Sequence, residues 1–128
     1  MKTKNTISYI GLMMLFLSLV GSFSGCSRKD PDKYGQDISN PNATKIADIL
    51  KEPQNFDGKI VTVQGQIIRE CPSGCWFEVK ENSAIIYVDI NPSGFAIPQK
   101  LGKTVTVEGK IMIKDNQPKM VGTGVEIQ

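Results

Sequence analysis

The chain has 128 residues, 40% of them hydrophobic and 22% charged, with 15 lysines and arginines, 13 acids and no histidine. That length supports a single small domain. The lack of histidine removes Ser-His-Asp and Cys-His catalysis, histidine-based zinc sites and any imidazole proton shuttle.

Lys2 and Lys4 precede an apolar run from Ile7 to Val20, which is followed by Phe23-Ser24-Gly25-Cys26. A basic start, a hydrophobic segment and small residues before a cleavage point make a secretory signal. The uninterrupted stretch Ile10 to Leu17 is short for a spanning helix, which needs about 20 residues. Small residues followed by Cys resemble the lipobox of bacterial lipoproteins, with Phe23 standing where Leu is usual. An ordinary signal or a spanning anchor with an incidental Cys is the alternative. The resemblance implies that Cys26 becomes the first residue of the mature chain and carries acyl groups such as palmitate. It also implies a protein outside the cytoplasm, held by its N-terminal lipid to a membrane of the cell envelope. The expected division is residues 1–25 as signal, 26–42 as lipidated Cys and flexible tether, and 43–128 as folded domain. Lys2 and Lys4 would leave with the signal, so 13 basic residues would face 13 acids. A nucleic-acid binder needs uncompensated Lys or Arg to neutralise phosphates, so no nucleic-acid partner is expected.

Ser27 to Pro41 is polar, carries Pro31, Gly35 and Pro41, and shows no apolar period, as expected of a disordered spacer. Asn42 is placed to N-cap a short helix in which Ile46, Ile49 and Leu50 share a face and which Pro53 ends. Phe56, just before Asp57-Gly58, is expected to close one end of the core. From Ile60 the period becomes two: Val61, Val63, Gly65 and Ile67 alternate with Thr62, Gln64 and Gln66 in a half-buried strand. After Cys71-Pro72-Ser73-Gly74-Cys75, Phe77 and Val79 alternate with Trp76, Glu78 and Lys80, and Ile86, Val88 and Ile90 alternate with Ile85, Tyr87 and Asp89. A two-residue turn at Asn82-Ser83 pairs Val79 with Ile86 and Phe77 with Val88 inside, whereas a slip of one would mix the faces. An irregular stretch holds Phe95, Ile97, Pro98 and Leu101. A fourth strand runs through Val105, Val107, Gly109, Ile111 and Ile113. A turn at Asp115-Asn116-Gln117 leads to a fifth through Val121, Thr123, Val125 and Ile127. That spacing pairs Ile111 with Val121 inside and sets Met112 opposite Met120 outside.

Five short strands grouped three and two, with Gly65 and Gly109 where strands must bend, predict an all-β fold: a small five-stranded Greek-key barrel, the OB-fold, preceded by a short helix. Asn55 to Gly65 resembles the start of the first strand in bacterial exported OB-fold domains. Leu101 to Gly109 resembles their fourth strand. Gly74-Cys75-Trp76-Phe77 is similar to a Gly-Cys-Trp motif opening the second strand in uncharacterised lipoproteins of that group. The resemblance spans Ala43 to Gln128. It implies a fold and no particular ligand, because OB-folds serve many functions.

With Cys26 assigned to lipid, Cys71 and Cys75 remain as an even pair in an exported setting. They flank the loop that borders the usual OB-fold ligand face. Pro72 and Gly74 allow the loop to bend until the two Cβ atoms reach bonding distance, and so small a disulfide ring stabilises by about 2 kcal/mol. Two thiolates also suit a soft ion such as Cu(I), with Met112 and Met120 as thioether ligands from the outer face. Some periplasmic OB-fold copper chaperones are similar, holding Cu(I) with Met and His beside a Trp. This chain has Trp76 and no His. A catalytic redox pair is a third use, at Cys-x-x-x-Cys spacing instead of the Cys-x-x-Cys that opens a helix in oxidoreductases. Two inert thiols are a fourth.

Strand parity puts Trp76 and Tyr87 side by side on the outer face, either as a stacking platform or as a cover for the loop. Glu78 and Asp89 share that ligand face, where Arg69, Glu70, Glu78 and Lys80 look like a solvated surface. No carboxylate pair suggests acid–base work, so no enzyme is expected. The expectation is a monomeric binding module for an unknown protein or small molecule. The alternatives are a soft-metal carrier using Cys71, Cys75, Met112 and Met120, and a thiol-redox accessory protein.

Overall fold

The computed structural model describes Gly25 and residues 29–128, so the expected signal up to Ser24 and Cys26, the expected lipidation site, lie outside the described residues. Six strands follow in order: β1 (Asp32–Gly35), β2 (Ile60–Glu70), β3 (Trp76–Glu81), β4 (Ala84–Asp89), β5 (Thr104–Lys114) and β6 (Gln117–Ile127). A short helix, α1 (Ile46–Lys51), lies between β1 and β2. β2 pairs antiparallel with β3 and β5, β3 with β4, and β5 with β6. A short parallel contact of Val88 and Asp89 with Met120 and Val121 closes the circle. The result is a five-stranded mixed barrel of OB-fold type, with one strand added outside it.

The β3–β4 hairpin has the expected register, with Val79 opposite Ile86 and Phe77 opposite Val88. All four side chains are buried with Val63, Ile67, Val105, Val107 and Ile111. Gly65 and Gly109 let neighbouring backbones approach: a Cβ would collide with the Lys80 carbonyl at the first and the Val121 carbonyl at the second.

α1 starts later than expected. Ala43 bridges to Thr62, and the Thr44 N–H donates to the Thr62 carbonyl at 2.7 Å, which holds the chain extended past Asn42. The N-cap is Lys45, and the free N–H of Ile46 donates to the Glu81 carboxylate at 3.0 Å, a cap supplied by another element. Ile46 and Ile49 are fully buried and Phe56 packs against the same core, but Leu50, expected on the same face, is 39% exposed.

Residues 26–42 were expected to be a flexible tether, and from Asp32 onward that expectation is corrected. β1 pairs antiparallel with β6, from Asp32 opposite Ile127 to Gly35 opposite Gly124. β4 reaches only Met120 and Val121 of β6, so the rest of that edge is open and β1 covers it. Tyr34 adds packing against the core, and Lys100 Nζ lies 3.0 Å from Asp32. Further on, Glu108 accepts the backbone N–H groups of Ser39 (3.0 Å) and Asn40 (2.9 Å) and the Ser39 hydroxyl (2.9 Å). The Thr62 hydroxyl donates to the Asn40 carbonyl at 2.6 Å. Glu108 is 8% exposed and Thr62 1%.

The β5–β6 register differs from the expected one. The turn has two residues, Asp115 (φ 51°) and Asn116 (φ 63°), the pair of left-handed positions a type I′ hairpin needs. Lys114 therefore faces Gln117, Ile111 faces Met120, and Met112 faces Lys119. Met120 is fully buried, whereas Met112 is 39% exposed. The ladder shifts at Glu108/Gly109, leaving Thr123 without an opposite partner. That bulge moves the buried set from Met120 and Gly122 to Val125 and Ile127, so the last two inward residues are as expected.

Candidate functional site

The loop from Cys71 to Cys75 is fixed at both ends by backbone hydrogen bonds. Gly74 N–H donates to the Cys71 carbonyl at 2.8 Å, forming a tight turn, and Cys71 N–H donates to the Trp76 carbonyl at 2.9 Å. Ile90 N–H donates to the Cys75 carbonyl at 3.1 Å, and Ile97 N–H to that of Gly74 at 3.2 Å. Gly74 has φ +74°, and a Cβ there would strike the Ile97 carbonyl, so the loop sits directly on the segment carrying the buried Ile97.

This scaffold brings both predicted cysteines together as free, half-buried thiols. Cys75 Sγ donates to Cys71 Sγ at 3.0 Å, and Ser73 Oγ lies 3.0 Å from Cys71 Sγ and 3.6 Å from Cys75 Sγ. The Cys75 thiol, then the Ser73 hydroxyl and the N–H groups of Ser73 and Cys75, pull the Cys71 thiol down to about 6. Ser73 is a site residue beyond those expected, and its signal in the sequence is the hydroxyl placed midway between the two thiols in Cys-Pro-Ser-Gly-Cys.

The four soft-metal candidates are not assembled. Met120 is a core residue, its side chain opposite Ile111, and Met112 is on the outer face opposite Lys119. The cause is the two-residue turn, which advances β6 by one position relative to the expected pairing.

Next to the thiols, Trp76 and Tyr87 stack with ring centroids 5.4 Å apart and planes 29° apart. Trp76 is opposite Asp89 and Tyr87 opposite Glu78, so the rings meet along the diagonal, as parity predicted. Trp76 lines one open groove of about 400 Å³ with Ile68, Arg69, Glu70, Gln99 and Leu101. Tyr87 lines another of about 400 Å³ with Glu78, Lys114 and Lys119. Burial first, then the charges of Asp89 and the thiols, push the Tyr87 hydroxyl up, so it stays a neutral donor.

The acids of this face are engaged. Glu78 lies 3.5 Å from Arg69, and Asp89 lies 3.8 Å from Lys119 while accepting the Asn91 N–H at 3.1 Å. Glu70, taken as solvated, instead accepts the N–H groups of Lys100 (2.8 Å) and Leu101 (3.1 Å) and fixes the rim of the Trp76 groove.

No protein-family model matches the chain, and no curated protein is similar to it in sequence. Among solved structures, it is similar to the hypothetical protein ygiW from E. coli, with 21% identity and a TM-score of 0.50 over 73% of this chain and 99% of that one. The likeness is one of fold and agrees with the OB-type barrel.

Proposed function

We propose that this chain is a lipid-anchored, exported OB-fold binding module, attached through Cys26 to a membrane of the cell envelope, whose working surface is the Trp76–Tyr87 face. The observation that carries the reading is the stacked aromatic pair with an open groove on either side. It lies on strands β3 and β4, beside the β2–β3 loop, where OB-folds commonly take ligands. The acids nearby are matched by Arg69 and Lys119, so the face offers little attraction to a phosphate. An uncharged ligand with a flat apolar side, such as a sugar ring or a protein side chain, suits it best.

Trp76 is the only tryptophan, so its emission reports this face. Titration with neutral envelope oligosaccharides is expected to give a saturable shift. Tyr87→Ala is expected to weaken it roughly tenfold or more, since ring stacking is worth about 1–3 kcal/mol. An emission that no such sugar moves, or micromolar binding of oligothymidylate at physiological salt, would overturn the neutral-ligand reading. The anchor is tested separately: labelled palmitate should enter the wild type and not Cys26→Ala.

A further inference from the structure

The thiol loop supports an activity that the aromatic face does not require. A disulfide staple holds apart or together segments that would otherwise separate, but this five-residue loop is already held by four backbone hydrogen bonds. A covalent link would restrict the unfolded chain, by about 2 kcal/mol for so small a ring, but the folded loop does not need it to keep its shape. What the loop does provide is asymmetry between its two sulfurs. The Cys75 thiol and the Ser73 hydroxyl both lie 3.0 Å from Cys71 Sγ, whereas the Ser73 hydroxyl is 3.6 Å from Cys75 Sγ. Hydrogen bonds that converge on one sulfur favour its thiolate, and the thiolate is the attacking form. In oxidoreductases a helix N-terminus often supplies that stabilisation. Here the loop leads into strand β3, and a hydroxyl and a second thiol take its place.

We infer that Cys71, Ser73 and Cys75 form a thiol–disulfide exchange site, with Cys71 as the attacking sulfur and Cys75 as the resolving one. The co-reactant is a disulfide, in a small molecule or a partner protein. Cys71 thiolate attacks one sulfur of it, the S–S bond breaks, and one partner thiolate leaves and takes a proton from water. Cys75, already in contact with Cys71 Sγ, loses its proton to solvent and attacks the mixed disulfide. The Cys71–Cys75 bond forms and the second partner thiolate is released. Two protein thiols are oxidised by two electrons, and one disulfide is reduced to two thiols. The reverse sequence reduces the protein with two partner thiols. Because Cys71 N–H bonds the Trp76 carbonyl and Cys75 adjoins Trp76, the change of state is felt at the aromatic face.

The test uses the purified protein with glutathione disulfide as the probe and intact mass as the readout. Cys75→Ser is expected to trap one glutathione on Cys71. Cys71→Ser is expected to acquire one at least tenfold more slowly. The wild type is expected to end as the internal disulfide with no adduct, and to return to the dithiol in excess reduced glutathione. Ser73→Ala, which keeps both thiols, is expected to slow exchange severalfold with Tm unchanged. Equal rates in the two single-cysteine variants would overturn the assignment, and so would a wild-type disulfide that excess glutathione does not reduce. Mass reports the exchange whether or not any ligand binds the aromatic face, so the two proposals fail separately.

Discussion

Two polar clusters differ in which way their hydrogen-bonding capacity points. Around Glu108, a carboxylate, two backbone N–H groups and two hydroxyls are turned inward and bond one another, at 8% exposure for the acid and 1% for Thr62. Around Cys71, two half-buried thiols and an exposed hydroxyl stand at the surface beside an aromatic pair. The first cluster ties three parts of the chain together and leaves nothing to offer a ligand. The second adds little to the tie its backbone already makes and leaves a sulfur within reach. A satisfied buried charge is read as structure, and a hydrogen-bonded, accessible nucleophile as chemistry.

The largest effect expected from breaking this contrast is at Glu108. Glu108→Ala leaves the N–H groups of Ser39 and Asn40 without their acceptor and should cost about 3 kcal/mol in urea unfolding. Hydrogen exchange should quicken over residues 32–40, and a cost below about 1 kcal/mol would dissolve the distinction. The same carboxylate predicts a pH dependence. Burial pushes Glu108 up, but the N–H of Asn40 and the hydroxyl and N–H of Ser39 outweigh it and hold the group below its ordinary value of 4.5. A depressed folded value means stability that is complete above about pH 4.5 and lost as pH falls through the folded value. Glu108→Gln should flatten that acid limb of the stability curve.

Thr62→Val should cost about 1 kcal/mol, because its hydroxyl serves only the Asn40 carbonyl and the same carboxylate. Ser73→Ala should change stability by less than about 0.5 kcal/mol, as expected for an exposed side chain. Its effect should appear in chemistry instead: Cys71 alkylation in the wild type should rise with a midpoint near pH 6, and in Ser73→Ala the midpoint should move up. If Ser73→Ala destabilised the fold as Thr62→Val does, the loop would belong with the Glu108 cluster.

Side-chain parity made much of the barrel legible. The β3–β4 hairpin was readable because a two-residue turn was the one choice that kept Phe77, Val79, Ile86 and Val88 on one side. The β5–β6 pairing was not, because Asp115-Asn116-Gln117 looks equally suited to two or three residues, and only the left-handed φ of Asp115 and Asn116 decides. One position of error moved Met120 from the core to the surface and built a metal set around it. β1 escaped notice because its four residues, Asp-Lys-Tyr-Gly, have no alternation of their own and are a strand only through the open edge of β6. Glu108 falls on the outward side of an alternating strand, and its burial depends on a segment that itself looked disordered. The site was half visible: Cys71, Cys75, Trp76 and Tyr87 came from spacing and parity, whereas Ser73 and Glu70 act through loop geometry that no period encodes.

The added strand β1 also sets a leash length. With the lipid proposed at Cys26, a free chain as far as Asn42 would let the barrel range about 55 Å from its anchor. Pairing from Asp32 leaves six residue steps and a reach of about 20 Å. If Cys26 carries the proposed lipid, a barrel held that close would work at the bilayer surface and not across the compartment beyond it. A partner that docks against Trp76 or exchanges with Cys71 would then have to come to the membrane, or already reside there.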